Sequence, residues 1–232
     1  MNKILITGAS SDIGKNLIIK YKKRATIYAH YNSSKSFRNF IKSKKIKSRI
    51  IPIKANFADK NQFKIFIKKI KKIDIDIIIH IASKKIDLIR FTSLNKKNFD
   101  TEIKISFFSI FKILKIFLPN MQNKNQGQII FVLSSTVLNK KTSPYYAHYN
   151  CLKFMLLGLL KSLIAEYKNT AINFTGISPN IIKTNFIKKI DSRLFFLNNS
   201  KRKFLKVGTV VNKIIQILEN KKKYKGKNIY LS

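Results

Sequence analysis

The chain has 232 residues, of which 45% are hydrophobic and only 7 are Gly and 4 Pro. That is enough for one domain burying roughly 70–75% of its unfolded surface, and it excludes wholesale disorder. Lys and Arg number 48 against 10 Asp and Glu, a formal charge of +38, and the single cysteine, Cys151, excludes an intramolecular disulfide framework and a multi-cysteine metal cluster.

Residues 3–7 form a short β-branched apolar run, followed by a Gly/Ser turn and the helical pattern of 13–21. A second strand is predicted over 26–30, a helix around 37–41 and a third strand over 49–54. Residues 62–73 read as an amphipathic helix, with Phe63, Phe66, Ile67 and Ile70 on one face. The continuous apolar run 75–82 predicts a strand covered on both sides. A long helix over 99–118 is expected to stop at Pro119, and a fifth strand follows over 128–133. The helix expected over 149–167 is apolar nearly all round, so one face packs on the sheet and the other meets a partner subunit. Cys151 then reads as a small core hydrophobe. A sixth strand (171–177), a last helix (210–218) and a last strand (228–231) complete the chain.

This alternation predicts an α/β fold: one doubly wound parallel sheet, of the Rossmann type, flanked by helices on both faces and forming a single domain over 1–232. Such sheets bind ligands beyond the carboxyl ends of their strands. No secretion signal is visible at the start, because its apolar run is too short. The apolar stretches 103–118 and 151–164 are broken by Lys104, Lys112, Lys115 and Lys161, so no membrane span is expected. A cytoplasmic location is the expectation.

The lysines are spread along the whole chain and far outnumber the arginines. Base readout favours Arg, so a specific nucleic-acid site is not expected. The charge predicts attraction of polyanions and steering of anionic ligands or acidic carrier proteins at low salt.

Thr7, Gly8, Ala9, Ser10, Ser11, Asp12, Ile13 and Gly14 lie between the first strand and the first helix. A turn there can present backbone N–H groups and a helix N-terminus to a pyrophosphate. Gly8 would permit the tight turn and Gly14 the close approach of helix to strand; the plain alternative is an ordinary turn with Asp12 as N-cap. After the second strand come Tyr31, Asn32, Ser33, Ser34 and Lys35, with no carboxylate to hold a ribose 2′-hydroxyl. Hydroxyls and a lysine at this point favour a 2′-phosphate, hence NADP(H) over NAD(H). Tyr149 and Lys153 are four positions apart on one helical face. An ammonium beside a phenol lowers its pKa, so tyrosine could act as general acid or base. Ser134 and Ser135 follow the fifth strand and could polarise a carbonyl.

Taken in order, TGASSDIG at 7–14, LSS at 133–135, YNCLK at 149–153 and SPNIIKT at 178–184 make the chain resemble the short-chain dehydrogenase/reductase family over nearly its whole length. The resemblance implies an NAD(P)-dependent oxidoreductase interconverting a carbonyl and a secondary alcohol, with no metal. Tyr149 would be the acid/base, Lys153 would lower its pKa and hold the nicotinamide ribose, and Ser135 would orient the carbonyl. Ser106 stands where the family's relay asparagine is expected. Cofactor contacts would come from Gly8, Ser10, Ser11, Asp12, Ile13, Gly14, Tyr31, Asn32, Ser33, Asn56, Ala82, Tyr149, Lys153 and Pro179, together with Ile182 through its backbone and Thr184. Residues 185–206, mixing Phe and Leu with Lys and Arg, would form the substrate lid and suit an apolar substrate with an anionic handle, such as a 3-oxoacyl thioester on an acidic carrier or an activated sugar. A homodimer or homotetramer through helix 149–167 is implied.

The departures are also specific. Asp12 replaces the middle glycine of the loop, and His80, Ile81, Ala82 and Ser83 stand where the family has Asn-Asn-Ala-Gly. His80 reads as a packing histidine. Asn180 replaces a glycine after Pro179, and Ser135 lies fourteen positions before Tyr149, implying a one-residue loop insertion. These departures support an alternative, a catalytically weakened or non-catalytic nucleotide-binding protein of the same descent.

Overall fold

A computed structural model of the chain describes residues 1–43, 49–138, 144–182, 184 and 204–232. Its centre is a parallel seven-stranded sheet ordered β3-β2-β1-β4-β5-β6-β7, with β1 (Lys3–Thr7), β2 (Thr26–Tyr31), β3 (Ile50–Lys54), β4 (Ile77–His80), β5 (Gly127–Val132), β6 (Ile172–Pro179) and β7 (Asn228–Leu231). The chain winds outward from β1 to β3, then returns to β4 on the other side of β1. That reversal opens a crevice beyond the ends of β1 and β4, where Thr7 lies opposite His80.

Both faces of the sheet are covered. Helices α1 (Asp12–Tyr21), α2 (Lys35–Ser43) and α7 (Val207–Glu219) bury Leu17, Ile18, Phe37, Val211 and Ile214 on one side. On the other, α3 (Lys60–Ile70), α5 (Ser109–Asn123) and α6 (Ala147–Glu166) bury Phe66, Ile110, Phe117, Leu156 and Leu160. Helix α4 (Lys96–Ile103) leads into α5, and the short α8 (Lys221–Tyr224) into β7. The expected fold class is the observed one.

The differences have local causes. The helix expected over 99–118 starts at Lys96, is interrupted by a π-turn at Lys104–Phe108, and runs past Pro119 to Asn123. Pro119 leaves the Lys115 carbonyl without its helical partner, but both residues are exposed, so that carbonyl is open to solvent while Leu118 and Met121 stay in the core. Strand β4 is half the length expected: it starts two residues later, and past its end the Ile81 amide donates to the Thr7 carbonyl at 3.1 Å while the Ala82 amide turns to the Thr7 hydroxyl at 3.4 Å. Strand β2 extends one residue further, through Tyr31. In α6 the inward stripe is Leu152, Leu156, Leu160 and Leu163; Cys151 is exposed, not a core residue as expected, because it precedes that stripe on the turning helix.

Candidate active site

The loop after β1 is built by two glycines that have no room for a side chain. Gly8 has φ of +70°, and a Cβ there would sit 2.8 Å from the Ala82 nitrogen. A Cβ on Gly14 would meet the Ala9 carbonyl oxygen at 2.6 Å, so the first turn of α1 lies directly on the loop. Ser11, not Asp12, is the N-cap: its hydroxyl accepts from the Gly14 amide at 3.1 Å. Helix α1 therefore points its amide end into the crevice, a setting suited to phosphate groups.

The crevice is a cleft of about 710 Å³. Of the residues expected to hold a cofactor, Gly8, Ser10, Ser11, Asp12, Ile13, Asn32, Ser33, Asn56, Ala82, Tyr149, Lys153, Pro179, Ile182 and Thr184 all line it, as does Ser135. Three of the expected residues lie outside that lining. Tyr31 does not face the cleft: β2 includes it, so strand alternation turns its ring to the opposite side from His30, where it packs 5.1 Å from Phe37. Gly14 acts behind the loop rather than in the cleft, because it is packed against Ala9. Ser106 lies in the π-turn, buried away from the lining, and its Oγ has no hydrogen-bond partner. Its backbone oxygen accepts from His80 Nε2 at 2.7 Å.

Sequence reasoning did not assign His30, Phe57, Lys15, Lys84, Lys85 and Ser36 to the cleft, yet all line it; Ser34 does too, whereas Lys35 does not. The alternation of β2 was the available signal for His30. Nothing in the sequence marks Lys84 and Lys85 among so many lysines. Of the expected lid, residues 185–203 lie outside the described residues; Leu205 pairs with Ile182 beside the cleft.

The first turns of α6 carry Tyr149 and Lys153 to the end of β5. Lys153 is buried, and its Nζ donates to the Val132 carbonyl at 3.0 Å while lying 5.6 Å from the centre of the Tyr149 ring. Ser134 hydrogen-bonds the Tyr149 phenol. The Ser135 hydroxyl instead faces Asn180 Oδ1 at 3.5 Å. Tyr149 is half-buried, and loss of water around its hydroxyl pushes the phenol up to about 12, opposite to the lowering expected from Lys153. Burial pushes Lys153 down to about 8. Asn180 needs no left-handed backbone; its amide donates to the Leu231 carbonyl at 2.7 Å.

The Lys153 shift gives a pH prediction. The unfolded chain keeps this proton up to about 10.5 and the folded chain only to about 8, so raising pH through that window stabilises the fold. Tyr149, raised from 10.0 to about 12, acts in the opposite direction above pH 10. Urea unfolding of Lys153→Met should therefore show an advantage over wild type at pH 8 that narrows towards pH 10. A constant gap would show that no ammonium is buried there.

His80 is a packing histidine with both nitrogens engaged. Its Nε2–H donates to Ser106, so the bare Nδ1 accepts from the Thr7 hydroxyl at 2.8 Å. Burial holds the imidazole down to about 3. A buried carboxylate, Glu102, anchors Lys84 of the cleft wall at 3.2 Å. Among the described residues no cluster of His, Cys, Asp and Glu could hold a metal, and no helix is long and apolar enough to cross a membrane.

The chain is similar to a 3-oxoacyl-(acyl-carrier-protein) reductase of Buchnera aphidicola subsp. Schizaphis graminum, 26% identical over 234 residues, covering 98% of this chain and 94% of the relative. A second such reductase, from Buchnera aphidicola subsp. Acyrthosiphon pisum, is 29% identical over 157 residues; that match covers 66% of this chain and spans 63% of the relative's length. In fold, the chain superposes on 4-hydroxyisoleucine dehydrogenase complexed with NADH with a TM-score of 0.86 at 19% identity, covering 100% of this chain and 97% of the other. ElxO with NADP bound superposes with a TM-score of 0.81 at 20% identity, covering 99% and 96%. The family model for short chain dehydrogenases matches residues 2–194, from the glycine loop through the Tyr149–Lys153 helix to Thr184 and beyond. With that match laid over this cleft, the chain belongs to the short-chain dehydrogenase/reductase family of oxidoreductases.

Proposed function

We propose that this chain reduces a ketone to a secondary alcohol with NADP(H), and that the ketone is a 3-oxoacyl thioester. The observation that carries the reading is that Tyr149, Lys153 and Ser135 open into the same cleft as the Gly8 loop and the hydroxyls beyond β2. Bound there, the nicotinamide supplies the hydride: ketone, NADPH and a proton give alcohol and NADP⁺. The cleft has the room and the chemistry for it. The Gly8 turn and the α1 N-terminus, with Lys15, suit the phosphates, while Ser33, Ser34 and Ser36 suit a 2′-phosphate where NAD(H) would call for a carboxylate.

Tyr149 donates its proton to the carbonyl oxygen as the hydride arrives, and the positive charge of Lys153 stabilises the phenolate left behind. Ser135 is assigned to the carbonyl, with Ser134 holding the phenol. Lys85, next to the Lys84–Glu102 pair, gives the cleft wall a positive edge for the anionic handle of a thioester carrier. The exposed outer faces of the π-turn, α5 and α6, with Phe108, Phe111 and Phe154 at 47%, 39% and 45% exposure, are assigned to self-association as a dimer or tetramer.

The test is a titration of NADPH and NADH followed by turnover of an acetoacetyl thioester. Tighter NADPH binding and steady loss of nicotinamide absorbance are expected. Preference for NADH would overturn the cofactor assignment. The separation of Ser106 from the cleft favours a second reading, a weakened descendant. Binding without turnover of thioester or sugar ketones would select it.

A further inference from the structure

His30, the last residue but one of β2, has no role in the chemistry above, yet both its ring and its main chain bond the glycine loop. We propose that His30 is a positioning residue for the cofactor-binding loop, its bare ring nitrogen fixing the Gly8 amide so that the loop is set before any dinucleotide arrives. The inference rests on the dinucleotide reading of the cleft.

Hydrogen-bond chemistry decides the tautomer. His30 Nε2 lies 3.0 Å from the Ala55 carbonyl oxygen, which can only accept, so Nε2 carries the proton. Nδ1 is then a bare acceptor, and the Gly8 amide donates to it at 3.2 Å. The backbone carbonyl of the same residue accepts from the Ala9 amide at 2.8 Å. His30 thus takes both amides that open the loop, one through its ring and one through its main chain.

The ring itself cannot swing. It stacks on Phe57 with centroids 3.6 Å apart and planes 5° from parallel, meets Phe66 edge-on at 5.3 Å, and is 4% exposed. Burial holds it neutral, down to about 4, which keeps the acceptor free at ordinary pH. Gly8 lies one residue past the end of β1, and its amide is met by the His30 ring. Strand β2 thereby sets the loop from one side as Ala82 abuts it from the other.

The test separates the acceptor from the packing. His30→Phe keeps the stacked ring and deletes both nitrogens. His30→Asn restores an acceptor near the Nδ1 position without reaching Ala55, and His30→Gln restores only the distal amide. NADPH affinity is read from the fluorescence gain of the bound dinucleotide, and Gly8 amide exchange is followed in the ligand-free protein. His30→Phe and His30→Gln should weaken NADPH about ten-fold, the scale of one lost hydrogen bond. Both should speed Gly8 exchange, while kcat at saturating NADPH stays within about two-fold of wild type, as expected when only binding is affected. His30→Asn should restore affinity and exchange. Wild-type affinity in His30→Phe, or an asparagine variant as weak as the glutamine one, overturns the proposal. If His30→Phe does not fold, the Asn and Gln pair decides. If wild type binds no dinucleotide, the reading of the cleft fails, and Gly8 exchange alone still rules on the loop.

Discussion

Tyr149→Phe is expected to lower thioester reduction by about 10² to 10⁴-fold, the usual contribution of a positioned general acid. NADPH affinity should stay within about two-fold of wild type, because the substitution keeps the ring and removes only the hydroxyl that Ser134 bonds. The phenol sits at about 12 through burial, so at neutral pH it is protonated and ready to donate. On the proposed reading Lys153 acts on the phenol through charge: its Nζ donates to the Val132 carbonyl and lies 5.6 Å from the ring centre. The split between intact binding and lost turnover, measured by fluorescence titration beside steady-state kinetics, is the signature. Unchanged turnover would remove Tyr149 from the chemistry.

The second large effect is expected at Gly8. In Gly8→Val the new Cβ meets Ala82 N at 2.8 Å, Ala82 Cα at 2.9 Å and Ile81 C at 3.0 Å, all backbone atoms that no rotamer change can move. A β-branched residue also resists the left-handed φ of +70°. Together these should cost about 3 kcal/mol and roughly 10 °C in Tm. Dinucleotide binding should weaken at least about a hundred-fold, since strain of that size falls on the loop that forms the site. Gly158→Ala is the control: it lies within α6 with nothing within 4 Å of a Cβ, so it should hold or raise stability, by up to about 1 kcal/mol. Wild-type affinity in Gly8→Val would show that the loop does not need its glycine.

The cleft and its charge are joined through few acidic groups. Glu102 is one of only 10 acidic residues in the chain, and it is buried where it pairs with Lys84. Surface pairs such as Lys96 with Asp100 are exposed and contribute little. The Glu102 pair therefore fixes the place of Lys84 in the cleft wall, although the sequence shows it only as one of many lysines.

The alternation of apolar runs with helical patterns, and the glycine, Tyr-Lys and Ser signals in their order, were readable from the chain alone. They read well because strand period, helix period and the need for glycine at a tight turn are local properties of adjacent residues. That is why the fold class, the loop and most of the cleft lining were legible. What was not legible depended on neighbours distant in sequence. Whether Tyr31 or His30 faces the cleft turned on one residue of strand length, and a one-residue shift reverses every side chain. Whether Pro119 ended a helix turned on which carbonyl it exposed to water. The fate of Ser106 was set by a π-turn tied to His80 from another strand, and the tautomer of His30 by a carbonyl on β3's far end and an amide on β1's. Local pattern determined which elements form and where the reactive residue types fall. Only the packed sheet decided which of those groups share water, charge and a wall, because burial and hydrogen-bond partnership exist only once distant segments are brought together.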